Sequence, residues 1–182
     1  MREPTIAHNY AEVLHSLARK AENLDGWGTM LDEVVSAIWG DERLRRFLES
    51  PNVDEATKRE LVGRAFADRM PRLMVRFLQA LITHRRQMLL PEIAREYHQI
   101  VDAIANRVHA QVTVAREMPD AERDRLAASL SDSLGKTVVP HLVVNPEILG
   151  GVIVKVADRV MDGSVRRKLA VLRTGMLRGA TA

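Results

Sequence analysis

From Pro4 to about Val108, hydrophobic residues recur every three to four positions, the spacing that gathers them on one face of an α-helix. Ile6, Tyr10, Val13, Leu14 and Leu17 define a first inward face. A second helix is expected from Thr29 to Trp39, with Met30, Val34 and Ile38 inward and Gly40 as its stop; Asp25-Gly26-Trp27-Gly28 reads as the turn before it. A short third helix covers Glu42 to Glu49, ahead of Pro51. Asp54 is placed to cap a fourth helix carrying Leu61, Val62, Ala65 and Phe66. Pro71 stands at the start of a fifth, with Leu73, Met74, Phe77, Leu78, Leu81 and Ile82. Pro91 opens a sixth, whose stripe is Ile93, Tyr97, Ile100, Val101, Ile104 and Val108. Six amphipathic helices on short links can shield their apolar faces only against one another.

Past residue 108 the period changes. Ala110, Val112 and Val114 alternate, as in a strand running from His109 to Ala115. Pro119-Asp120 then begins a helix with Leu126, Leu130 and Leu134 on one side and Gly135 as its stop. Val138 to Val144 is β-branched and strand-like, and Asn145-Pro146 marks a turn. Gly151 to Val156 and Arg159 to Met161 read as a pair of strands, followed by a last helix with Val165, Leu169, Leu172 and Met176 inward. The expected fold class is α+β in two domains: a six-helix bundle over residues 1–108 and a smaller mixed α/β domain over 109–182.

Charge follows the same division. Residues 1–105 carry 15 basic and 16 acidic side chains, net −1, and residues 106–182 carry 12 and 8, net +4. From Ser164 onward Arg166, Arg167, Lys168, Arg173 and Arg178 have no acidic neighbour in the sequence, so the last helix is a candidate for docking something negative. The chain has 182 residues, 46% of them hydrophobic, enough to bury a core and to argue against a disordered ground state. It has no Cys, which removes disulfides, thiolate zinc sites and cysteine nucleophiles. The longest run free of Lys, Arg, Asp and Glu, Thr137 to Pro146, is far short of the roughly 18 residues of a membrane span. Charges punctuate the first segment, which therefore reads as neither a secretory nor a transit peptide, and a cytoplasmic location is expected.

Reactive chemistry is hard to find. The six His (8, 15, 84, 98, 109 and 141) form no HExxH or i, i+4 pair; only His8 and His15, seven apart, could share a face. Glu55 with Arg59, Glu60 with Arg64 and Asp120 with Arg123 suit solvated helix surfaces. Gly150 and Gly151 lead into Val-Ile-Val-Lys-Val rather than a helix N-terminus, so they read as a bulge or a close backbone contact, not a phosphate loop. Asp162-Gly163-Ser164 lacks a GxSxG elbow and reads as a helix cap. No catalytic residue, metal ligand or cofactor is expected. A sequence pI of about 9.6 and the clusters Arg43-Arg45-Arg46, His84-Arg85-Arg86 and Arg166-Arg167-Lys168 support a second reading, a basic nucleic-acid-binding or ribosome-associated adaptor. Against it, aromatic residues are only 4% and no Gly-rich loop accompanies the charges. A small hydrolase is a third.

Several segments together resemble one family. They are Tyr10-Ala11, Ser50-Pro51, Phe77-Leu78 with Leu81 and Arg85, and above all Asn145-Pro146-Glu147-Ile148-Leu149-Gly150-Gly151-Val152-Ile153-Val154, then Asp158, then Asp162-Gly163-Ser164-Val165-Arg166 with Leu169. The chain resembles the delta subunits of bacterial rotary ATP synthases, counterparts of the mitochondrial oligomycin-sensitivity-conferring protein. It departs from that pattern at Ser50, often Asn in the family, at Ala157, often Gly, and at His84, near a common Asn. The resemblance implies a non-catalytic peripheral-stalk, or stator, subunit, at the cytoplasmic side of a bacterial plasma membrane and touching that membrane only through its complex. It implies a first domain on the catalytic head, receiving the N-terminal helix of an alpha subunit between its first and fifth helices, with Tyr10, Ala11, Leu14, Phe77, Leu78 and Leu81 as contacts. It implies a second domain holding the b subunits; the acid-free run of the last helix makes Arg166, Arg167 and Arg173 the candidate docking charges there. The absence of a transit or fused stalk segment suggests a standalone bacterial subunit.

Overall fold

The computed structural model describes residues 3–179. Their order is α1 (Glu3–Lys20), α2 (Leu24–Gly40), α3 (Glu42–Glu49), α4 (Glu55–Phe66), α5 (Arg72–Thr83), α6 (Leu90–Ile104), β1 (Arg107–Val114), α7 (Asp120–Leu134), β2 (Thr137–Val144), β3 (Val152–Val156), β4 (Arg159–Asp162) and α8 (Val165–Gly179). Single 3-10 turns occupy Gln87–Leu89 and Pro146–Ile148. Among the described residues this is a mixed α+β chain with eight helices and one four-stranded sheet. Two compact units divide between Val101 and Asp102.

In the first unit, side-chain caps set where helices begin. Asp41 accepts from the amides of Arg43 and Leu44 (2.8 and 3.3 Å), and Asp54 from that of Thr57 (3.1 Å). The Thr57 hydroxyl also donates to Asp54, and these two bonds hold the Asp54 carboxyl below its usual range. Asn23 accepts from the Gly26 amide at 3.0 Å and starts α2 at Leu24, so the expected turn at 25–28 is instead the first turn of that helix. Trp27 is thereby buried, and Gly28 lies under the rings of Tyr97 and His98. The helices share one core that includes Leu14, Trp27, Leu31, Leu48, Met74, Leu81, Leu90, Ile93 and Tyr97. Burial pushes the Tyr97 phenol up to about 12, and its hydroxyl donates to the Leu24 carbonyl at 2.7 Å.

The buried face of α1 is not the one its large side chains suggest. Ala7, Ala11, Leu14 and Ala18 face the core, whereas Val13 is exposed and Ile6 and Tyr10 are half-buried. The apolar stripe is wider than the seam, and three alanines give that seam a low profile for close helix packing. Leu61, Ala65 and Leu73 likewise point outward. The stripe of α6 stops at Ile104, which is exposed; Asn106 turns into the left-handed region (φ 48°), and Val108 belongs to β1. Buried Lys58 crosses from α4 to the end of α3, where its Nζ donates to the carbonyls of Leu48 and Ser50, each at 2.7 Å. A cation there satisfies orphan carbonyls and complements the helix dipole.

In the second unit the sheet order is β2-β1-β3-β4. β1 and β2 run parallel, as the intervening α7 permits, with Val112 beside Leu142; β1–β3 and β3–β4 are antiparallel. Ala110, Val112, Val114, Val138 and Val154 form the core cluster, with Leu126, Leu130 and Leu134 of α7 packed against it. Gly135 closes α7 in the left-handed conformation (φ 64°). The expected inward face of α8 is corrected: Val165, Leu169, Leu172 and Met176 are all exposed, by 38, 52, 61 and 70%. Helical period reports an apolar face, not what covers it.

Candidate partner-docking surfaces

On the first unit a concavity of about 610 Å³ is lined by Ile6, Asn9, Tyr10 and Val13 of α1 and by His84 and Arg86 just beyond α5. Of the six residues expected there, Tyr10 alone reaches its surface. Ala11, Leu14, Phe77, Leu78 and Leu81 are buried in the unit's own core. Phe77 supports Tyr10 from within, edge to face, with ring centroids 6.3 Å apart. The residues missed by the sequence reading, Ile6 and Val13, lie seven apart on the stripe taken to be core; His84 and Arg86 gave only a charge signal.

On the second unit, α8 follows a backbone junction built by the glycine and Asp-Gly-Ser segments. The Gly163 amide donates to the Val152 carbonyl (2.9 Å), and the Val165 amide donates to the Gly150 carbonyl (3.0 Å). Gly151 has φ 74°, and a Cβ there would collide with the Gly163 carbonyl oxygen. Asp162 accepts from the Ser164 amide (2.9 Å), and the Ser164 hydroxyl accepts from the Arg167 amide (3.1 Å), capping α8. The bond from Ser164, helped by Arg167 and Arg166, holds the Asp162 carboxyl low. Gly150, Gly151, Asp162, Gly163 and Ser164 thus form the backbone junction and cap from which α8 starts.

Arg166, Arg167 and Arg173 of α8 are exposed. Arg166 does meet an acid, Glu147 of the Pro146–Ile148 turn, at 4.0 Å, a partner distant in sequence. Asp162, Arg167, Lys168, Val171 and Leu172 line a shallow hollow of about 410 Å³, where cations edge the apolar row. Arg178 lies where side chains are outside the described set. The pairs Glu55–Arg59, Glu60–Arg64 and Asp120–Arg123 are surface ion pairs at 4.0, 2.6 and 3.1 Å. His8 and His15 share no ligand face: His8 engages Glu96 (2.9 Å) and Glu12 (3.6 Å), while the Nε2 of His15 is buried. Among the described residues no group of three or more His, Asp or Glu is arranged to hold a metal ion. No described helix is long and apolar enough to cross a membrane.

Exposed apolar rows edged by arginine and histidine are the kind of surface that marks protein–protein docking. The model of the ATP synthase delta (OSCP) subunit family matches residues 6–176, and the chain belongs to that family. It is 53% identical over 172 residues to the ATP synthase subunit delta of Gemmatimonas aurantiaca, covering 94% of this chain and 93% of that one. It is 35% identical over 176 residues to the subunit delta of Desulfitobacterium hafniense, covering 97 and 98%. Among solved structures, a chain of the Toxoplasma gondii mitochondrial ATP synthase hexamer shares the fold, with a TM-score of 0.60 at 20% identity over 94% of this chain and 97% of that one. The protein is therefore a structural, non-catalytic subunit of the peripheral stalk that links F1 to the membrane part of ATP synthase.

Proposed function

We propose that the two units hold opposite partners of the stator. Residues 1–108, as a six-helix bundle, sit on the catalytic head and receive the amphipathic N-terminal helix of an alpha subunit along Ile6, Tyr10 and Val13, with His84 and Arg86 at its edge. Residues 109–182 hold the b subunits through α8, on the cytoplasmic side of a bacterial plasma membrane. The chain opposes rotor torque as a tether, which calls for slowly dissociating interfaces rather than a reactive pocket. Arg166, Arg167 and Arg173 contribute attraction and orientation around the apolar row of α8.

The observation that carries this reading is that row: Leu169, Leu172 and Met176 are each more than half exposed on a helix whose sequence is amphipathic. The nucleic-acid reading is not favoured, because family membership accounts for the chain from residue 6 to 176. Reversing the three arginines to Glu is expected to weaken b-subunit binding at least about tenfold and to flatten its salt dependence. Unchanged affinity and salt dependence would remove the docking role. Calorimetric titration with a peptide of the alpha-subunit N-terminus, against wild type and Val13→Asp, tests the other surface.

A further inference from the structure

On the sheet face opposite α7, four side chains form a continuous polar chain that the docking surfaces do not use. Asp102, in the last turn of α6, accepts from Arg107 Nε at Oδ1 (2.8 Å), and its Oδ2 is 2.9 Å from His109 Nε2. On the far side of the ring, His109 Nδ1 lies 2.8 Å from Nε2 of His141 on β2. The two ring planes are tilted by only 29° and their centroids are 5.0 Å apart. That separation is about the N···N distance plus the two ring radii, so the nitrogens point at each other along the line of centres. Such a head-on approach fits one shared proton.

The protons can be assigned. An ionised Asp102 only accepts, so His109 Nε2 carries a hydrogen. With both rings neutral, His109 Nδ1 then accepts from the Nε2–H of His141, which leaves His141 Nδ1 free to be protonated. A first added proton charges the pair once and keeps the bridge, now charge-assisted. A second requires an N–H on both facing nitrogens, and at this distance the bridge must open. The charged groups on this face are Asp102, Arg107, Lys155 and, at the β4 edge, Asp162; Lys155 is level with Gln111, which is itself level with His141.

We propose that Asp102, His109 and His141 form an acid-released clasp that fastens the edge strand β2 across β1 to the end of α6. It holds while the histidine pair carries no more than one added proton and lets go when it carries two. The proposal is independent of which partner each unit binds.

Imidazole NMR on the full chain tests it. The His109 and His141 signals should move together in two separate steps as pH falls, as interacting sites do. The neutral form should show the Nε2–H tautomer at both residues. Across the lower step, exchange of the amides of Val139 and His141–Val143, divided by the intrinsic rate, should rise about tenfold, the worth of a hydrogen bond to a charged group. His141→Gln should leave His109 with one step and remove the pH dependence of that exchange. Independent single-step titrations, a mixed tautomer at His109, or a His109 titration that ignores His141→Gln would each overturn the clasp.

Discussion

Both tryptophans, both tyrosines and all three phenylalanines lie in residues 1–101, while the sheet of the second unit closes over Ala110, Val112, Val114, Val138 and Val154. Aromatic side chains bury roughly 150–250 Å² each, so the first unit has the thicker core. The second unit relies on strand pairing, one covering helix and close backbone contacts at its glycines, and it leaves α8 uncovered. The two proposed docking surfaces differ accordingly: one is a groove on a unit with its own thick core, and the other is a helix whose apolar face is exposed.

Core truncation should separate the two most strongly. Leu81→Ala removes a fully buried side chain of the first unit and is expected to cost about 2–5 kcal/mol, whereas Leu172→Ala on α8 should stay within about 0.5 kcal/mol. Urea unfolding followed by Trp fluorescence, which reports the first unit alone, together with amide exchange in α8, checks this. A Leu172→Ala loss near that of Leu81→Ala would mean that α8 is covered in the free chain.

Backbone geometry gives the next effect, confined to the second unit. Gly151→Ala should destabilise its strands by about 2–4 kcal/mol through collision with Gly163, since both the positive φ and the close carbonyl forbid a Cβ. Ala157, by contrast, is a non-Gly residue held at φ 49°, so Ala157→Gly should stabilise the β3–β4 turn by about 0.5–1 kcal/mol. Strand amide exchange reads both signs. Equal and small effects would break the claim that glycine contacts support this unit.

The smallest effect belongs to the first unit and to pH. The hydrogen bond from His8 to Glu96 raises the His8 imidazole above its ordinary value, with Glu12 adding attraction. A folded-state value above the unfolded one means that this contribution is complete below about pH 6.5 and is lost as pH rises through the elevated value. His8→Gln should flatten the fall in thermal midpoint above about pH 6.5, and an unchanged slope would assign that fall to another group.

Much of the fold was legible in the chain because local rules agreed with the tertiary outcome. Asp54, Pro119-Asp120, Gly135 and Asn145-Pro146 mark their boundaries through backbone chemistry alone, and the change from period 3.6 to period 2 locates the sheet. Where competing local signals existed, they misled. Gly26 and Gly28 suggested a turn, but the Asn23 cap and the burial of Trp27 kept the helix going.

The candidate surfaces were half legible. Periodicity identified the apolar stripes of α1 and α8, and an acid-free run picked out the arginines. It could not say that three alanines and Leu14 form the seam of α1 while Ile6 and Val13 are left accessible, because which part of a wide stripe is covered depends on the neighbouring helices. Nor could it pair Arg166 with Glu147, Lys58 with the end of α3, or His109 with His141, contacts made across 19, 10 and 32 positions. Sequence determined most of the elements, several of their caps and the family, all fixed by short-range geometry and by motif. Tertiary structure decided burial, exposure and the polar chain across the sheet, because those depend on packing and strand register between residues far apart in the chain.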